Sequence, residues 1–115
     1  MEMTPETFVE GIIEDTVNSD WNIYVDLFNK TDMKDVTDEY WKRAIVFYNK
    51  IDVKDRDVFF SILKQVNIDA ISSMLGLLDG VFRLKNQDEA FELKYSGIKL
   101  NECLQDIFLE KIENA

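Results

Sequence analysis

The stretch ISSMLGLLDG, Ile71–Gly80, decides the fold. It is a run of aliphatic residues in a chain whose formal net charge is −10. It could be part of a membrane span, a groove for a partner or the core of a small domain. The residues upstream settle the choice. From Val53 the chain can remain helical to Leu78, roughly 39 Å at 1.5 Å per residue. Val66, Ala70, Met74 and Leu77 recur at helical spacing. A span needs about 20 predominantly apolar residues. Here Ser61, Lys64, Gln65, Asn67 and Asp69 interrupt the run. Lys64 and Asp69 near the bilayer centre would each cost about 3 kcal/mol. The reading is a long helix, apolar on several sides of its second half and therefore covered by other helices. Gly80 ends it, and Ser72, Ser73 and Gly76 are small residues that let neighbouring helices approach.

Further helices precede it. Thr4-Pro5-Glu6 is a helix start, with Thr as cap, Pro pre-set for the first turn and Glu on the positive end of the dipole. Phe8, Val9, Ile12, Ile13 and Val17 form its apolar stripe. Asn18-Ser19-Asp20 breaks the pattern, and Asp20 caps a second short helix with Trp21, Tyr24, Val25, Leu27 and Phe28. Thr37-Asp38-Glu39 repeats the start signal ahead of an aromatic helix carrying Tyr40, Trp41, Ala44, Ile45, Phe47 and Tyr48, and Asp52 is the next cap candidate, ahead of the long helix.

After Gly80 the period changes. Val81, Phe82 and Leu84, the polar KNQDEA (Lys85–Ala90) and the alternating FELKY (Phe91–Tyr95) read as a hairpin, with a turn at Ser96-Gly97. Asn101 can cap a last helix with Leu104, Ile107, Phe108 and Ile112, with Cys103 on its buried side. The fold class is mainly α (α+β): a helical bundle around a long central helix, with one β-hairpin before the C-terminal helix. Residues 1–115 form a single domain, long enough to bury a core. The lone Cys103 excludes an internal disulfide and suits a reducing, cytoplasmic setting.

The chain has no histidine. This removes the commonest general base and metal ligand, and with one cysteine it excludes Cys/His zinc sites and His-activated nucleophiles. The segment DVKDRD, Asp52–Asp57, lacks the glycine and closing glutamate of a calcium loop. Asp69, set in an apolar stretch, is the best carboxylate for any acid-only chemistry, and its plainer role is the polar margin of the long helix. The expectation is a non-enzyme without cofactor or metal. Acids outnumber bases 23 to 13, which disfavours nucleic acid and anionic membranes as partners.

Charge placement says more. Glu2, Glu6, Glu10, Glu14, Asp15, Asp20 and Asp26 fall within the first 29 residues, where there is no Lys or Arg. Glu10, Glu14, Asp15, Asp20 and Asp26, with Trp21 or Tyr24 as an aromatic anchor, are the expected docking residues for a basic protein. The competing reading is a solvated acidic face with Trp21 and Tyr24 in the core. A further docking mode is strand addition at the edge of FELKY, which Glu92 and Lys94 oppose.

SMLGLLDG (Ser73–Gly80), FELKY and KLNECLQDIFLEKIE (Lys99–Glu113), together with EYWKRAIVFYNK (Glu39–Lys50), resemble segments of small acidic bacterial proteins. Some of these are similar to immunity proteins of toxin–immunity systems, including the contact-dependent inhibition type. The resemblance implies a cytoplasmic protein that binds a cognate toxin domain, a nuclease above all, and blocks its active site. The alternative is a non-enzymatic regulatory or adaptor module.

Overall fold

The structure, a computed structural model, describes residues 2–115. Helix accounts for 68% of the chain, so helix packing sets the architecture. The elements are α1 (Pro5–Ile12), a π-helical segment (Ile13–Ser19), α2 (Asp20–Lys30), α3 (Glu39–Asn49), α4 (Arg56–Asp79), β1 (Lys94–Tyr95), β2 (Ile98–Lys99) and α5 (Leu104–Glu113). The expected class holds: helices around one long helix, with a two-stranded antiparallel hairpin before the last.

The expected break at Asn18-Ser19-Asp20 does not occur. The chain is helical without interruption from Pro5 to Lys30, and Asp20 is not a side-chain cap. These three residues favour turns, but none is Gly or Pro, and the polar groups are absorbed locally. Ser19 Oγ donates to Glu14 O at 2.9 Å and Thr16 Oγ1 to Ile12 O at 2.6 Å. The helix widens instead of stopping. That widening sets the register. Eight residues of α-helix turn about 800°, so Val17 would lie about 80° away from Val9. The wider i→i+5 turn advances less per residue and returns Val17 to the face of Val9. Both are fully buried in one cluster with Ile68, Leu75, Leu104 and Phe108. Phe28, about three turns further on, reaches a second cluster with Ile45, Tyr48 and Phe60.

The rod from Pro5 to Lys30 runs antiparallel to α4. Two side-chain bonds pin it there: Asn67 Nδ2 donates to Thr16 O at 2.8 Å, and Trp21 Nε1 donates to Phe60 O at 3.0 Å. Helix α4 thus serves both clusters, Phe60 at one end and Ile68 and Leu75 at the other. The starts of α1 and α3, and the 3-10 turn ahead of α4, follow the caps in the sequence. Thr4 and Thr7 exchange backbone-to-hydroxyl bonds, Asp38 accepts from Tyr40 and Trp41 N–H, and Asp52 accepts from Lys54 N–H in the 3-10 turn before α4. Gly80, at φ +83°, closes α4 in the left-handed conformation, with Val81 N bonded to Gly76 O at 2.9 Å. A Cβ on Gly76 would stand 2.8 Å from Gln105 Nε2, so this glycine does admit α5. Ser72 is buried and accepts from the same amide, whereas Ser73 faces solvent.

Helix α4 is not covered on every side. Val58, Ile62, Val66 and Met74, one turn apart or two, are 57–61% exposed. The reason is shape. The radius of gyration is 17.9 Å and the extents are 50 × 34 × 24 Å, against about 13 Å for a compact chain of this length. One layer of helices packs on one side of α4, and its outer stripe is left bare.

The hairpin also differs in position. Val81–Leu84 is not a strand. The ladder pairs Lys94 with Lys99 and Tyr95 with Ile98 around Ser96-Gly97, both at positive φ, as a two-residue hairpin turn requires. Asn101 does not cap α5. It is buried and ties three segments, accepting from Leu93 N at 2.8 Å and donating to Leu78 O and Phe91 O. Asp79 does the capping from the end of α4, accepting from Glu102 N at 2.8 Å and Gln105 N at 2.7 Å. Cys103, expected on the buried side, lies at the helix entry and is exposed. Asp69 is exposed and accepts from Gln65 Nε2, as a residue on the polar margin would.

Leu75→Ala should cost about 2–5 kcal/mol, because its side chain is 3% exposed among rigid neighbours. Asp79→Ala should cost about 1–2 kcal/mol by uncapping α5, with Asp79→Asn costing less. Urea unfolding curves check both.

Candidate functional site

Two surfaces are open to a partner. The first is the outer face of the N-terminal rod. Glu10 and Glu14 are one turn apart, and Asp15 and Asp26 lie on the same solvent side. All four are exposed. Glu10 pairs with Lys111 of α5 at 2.9 Å and Asp26 with Lys30 at 3.2 Å. Glu14 and Asp15 have no ion pair among the described residues. The structure therefore leaves Glu10, Glu14, Asp15 and Asp26 all exposed along the solvent side of the rod. It separates them from Asp20 and Trp21, which turn toward the second surface.

The second surface is a cleft walled by α2, α3 and α4, with an open volume of about 1370 Å³. Trp21 and Tyr24 come from α2, Tyr40, Trp41 and Phe47 from α3, and Phe59, Leu63 and Val66 from α4. Trp21 is half-buried, so it is neither a free anchor nor a full core residue. Its indole is fixed edge-on to Phe60, with ring centroids 6.5 Å apart, and Lys64 Nζ sits 4.9 Å above its ring. Trp41 packs against Tyr24 at 6.1 Å and Tyr40 at 5.2 Å. These contacts order the aromatic wall, yet Tyr40 is 67% exposed and Phe47 59%.

The charge of the cleft is opposite to that of the chain. Lys42, Arg43, Lys50 and Lys64 line it, and Asp20 is the one acid among the lining residues. Lys42 is held by Glu39 at 3.3 Å, and Lys64 rests on Trp21. Arg43 and Lys50 are exposed, with no ion pair among the described residues. Sequence reading found Trp21 and Asp20 but missed Arg43, Phe47 and Lys50. Their signal was present as the basic, aromatic face of EYWKRAIVFYNK, but the overall acidity masked it.

Among the described residues, no three Cys, Asp or Glu side chains converge closely enough to hold a metal ion. The segment Val53–Asp79 is long and apolar enough to cross a membrane by length and composition, at a mean hydropathy of 1.2. No second such helix occurs among the described residues. At the hairpin, Glu102 accepts from Lys99 Nζ at 2.8 Å; this hydrogen bond holds the Glu102 carboxyl below its ordinary range and raises the Lys99 ammonium. The chain matches no protein-family model, and comparison with curated proteins and with solved structures gives no match either.

Phe47 is largely exposed and touches Phe59 only through the edge of the wall, so Phe47→Gln should cost less than about 1 kcal/mol. Phe60→Ala, which empties a 5% exposed site beneath the cleft, should cost about 3–5 kcal/mol. Thermal melts of the two variants separate an exposed wall from a buried one.

Proposed function

We propose that the protein is a non-enzymatic, cytoplasmic inhibitor that binds a basic toxin domain, in the manner of a bacterial immunity protein. The single observation behind this reading is the exposed acids of the N-terminal rod. Glu14 and Asp15 are exposed with no ion pair among the described residues, and Glu10 and Asp26, each held by one lysine, lie before and after them along the rod. Uncompensated like charges destabilise the compact state. Paired with a basic surface, the same charges accelerate encounter and fix orientation. A nuclease domain, which must attract phosphates, carries such a surface, and an acidic helix can occupy it in place of nucleic acid. The π-helical widening adds support, since these segments are frequent at functional positions.

The second reading is an adaptor or regulatory module. The aromatic cleft favours it, because a concave, apolar surface suits a partner other than a basic nuclease.

The test is co-production with a toxin domain encoded beside the gene. The wild-type chain should protect cells. Glu14→Lys with Asp15→Lys should slow association at least tenfold at low salt, the deficit shrinking as salt is added, with an unchanged melting temperature. Cells that die as fast with the wild-type protein as without it would refute the inhibitor reading. An unchanged on-rate would remove the rod as the docking face.

A further inference from the structure

We propose that the α2–α3–α4 cleft is a second binding site, and that its occupant is an amphipathic helix with an apolar stripe and acidic flanks. The inference does not rest on the inhibitor reading, which uses residues of the rod that do not line the cleft.

Size argues for a helix. Small-molecule pockets enclose about 300–1,000 Å³ and bury most of their ligand. This cleft is larger, about 1370 Å³, and open along one side. An open groove walled by helices suits a helix, about 10 Å across with its side chains, better than an enclosed small molecule. Helix-in-groove recognition uses apolar anchors at positions such as i, i+4 and i+7. The cleft offers matching surface on both walls, with exposed Tyr40 and Phe47 on α3 and Val66 on α4.

Charge argues for acidic flanks. The lining holds four cations and one acid, in a chain where acids outnumber bases 23 to 13. Arg43 and Lys50 are exposed on the α3 side with no partner among the described residues, and Lys64 stands on the α4 side. A helix seated between them would meet cations on both flanks. Single-stranded nucleic acid also suits aromatic, basic surfaces, but it needs open ring faces. Here Lys64 covers the Trp21 ring, and Trp41 is packed against Tyr24 and Tyr40. The chain's net charge of −10 also opposes a polyanion.

Trp21 and Trp41, both lining the cleft, are the only tryptophans in the sequence, so intrinsic fluorescence reports directly on its occupancy. The probe is a synthetic peptide of about 18 residues, Leu at every third or fourth position and Glu on both flanks, free of Trp and Tyr. Its controls are the same peptide with Lys for Glu, and a single-stranded oligonucleotide. The acidic peptide should change Trp emission saturably. The Lys peptide should bind at least tenfold more weakly. Arg43→Glu should weaken the acidic peptide at least tenfold at low salt, and Phe47→Gln should weaken it at every salt concentration, both variants remaining folded. The proposal is overturned if the acidic peptide leaves the emission unchanged. It is overturned equally if the Lys peptide binds as well, if the oligonucleotide is the better ligand, or if sedimentation shows that a second copy of the chain already fills the cleft.

Discussion

The fold depends on one constraint: a single helical rod must keep one face turned to the core built by α5 and α4 for 26 residues, from Pro5 to Lys30. A regular α-helix with these side chains would not do so, because Val9 and Val17 are eight residues apart and diverge by about 80°. The π-helical segment Ile13–Ser19 removes the divergence. Asn67 then fastens the carbonyl of Thr16 inside that segment, and Trp21 fastens the next turn to Phe60. Upstream of this point the rod packs on the C-terminal half of α4 and on α5. Downstream it packs on the N-terminal half of α4 and on α3. The two clusters are separate but share one spine.

Both candidate surfaces follow from this arrangement. When Val9, Val17 and Phe28 point inward, Glu10, Glu14, Asp15 and Asp26 are carried outward together. Asp20 and Tyr24 turn sideways toward α3. The cleft opens because α3 is anchored to α2 and α4 mainly through Trp41, Ile45 and Tyr48, where the Tyr48 hydroxyl bonds Asn29 and Arg56 lies 4.6 Å over the Tyr48 ring, while Phe47 reaches Phe59 of α4 at 6.4 Å and stays largely exposed. Its other side, with Tyr40 and Phe47, has no covering element among the described residues. A molecule this elongated leaves apolar surface bare by geometry, and the same surface serves recognition when cations rim it.

Much of the fold was legible in the sequence because local chemistry determines it. Thr4, Asp38, Asp52 and Gly80 all act at helix ends, and Ser96-Gly97 makes the turn. What was not legible depends on partners distant in sequence. Turn-forming Asn18-Ser19-Asp20 stays helical because the rod is held by α4 at either side of it. FELKY alternates like a strand, but the Asn101 side chain takes the Leu93 N–H and the Phe91 carbonyl, leaving only Lys94 and Tyr95 for the ladder. Asn101 looked like a cap, yet Asp79, 26 residues before Gln105, supplies the carboxylate that does it. Of the candidate site, the acidic rod was visible as a run without cations. The cleft was not, since Lys42, Arg43, Lys50 and Lys64 are scattered and net charge averages them away.

The register claim is tested most directly by two single-residue deletions, compared by urea unfolding and Trp fluorescence. Removing Asp15 from the widened segment leaves seven residues from Val9 to Val17, about 700° of α-helix, which restores the shared face within about 20°. Removing Asn22 from the regular helix α2 swings Phe28 about 100° away from its cluster. Both residues are exposed, so neither deletion removes a core side chain. The account predicts that the Asp15 deletion unfolds cooperatively near the wild-type midpoint, while the Asn22 deletion loses the Trp signal of the Phe28–Tyr48–Phe60 cluster. Equal damage from both deletions, or a tolerated Asn22 deletion, would contradict it.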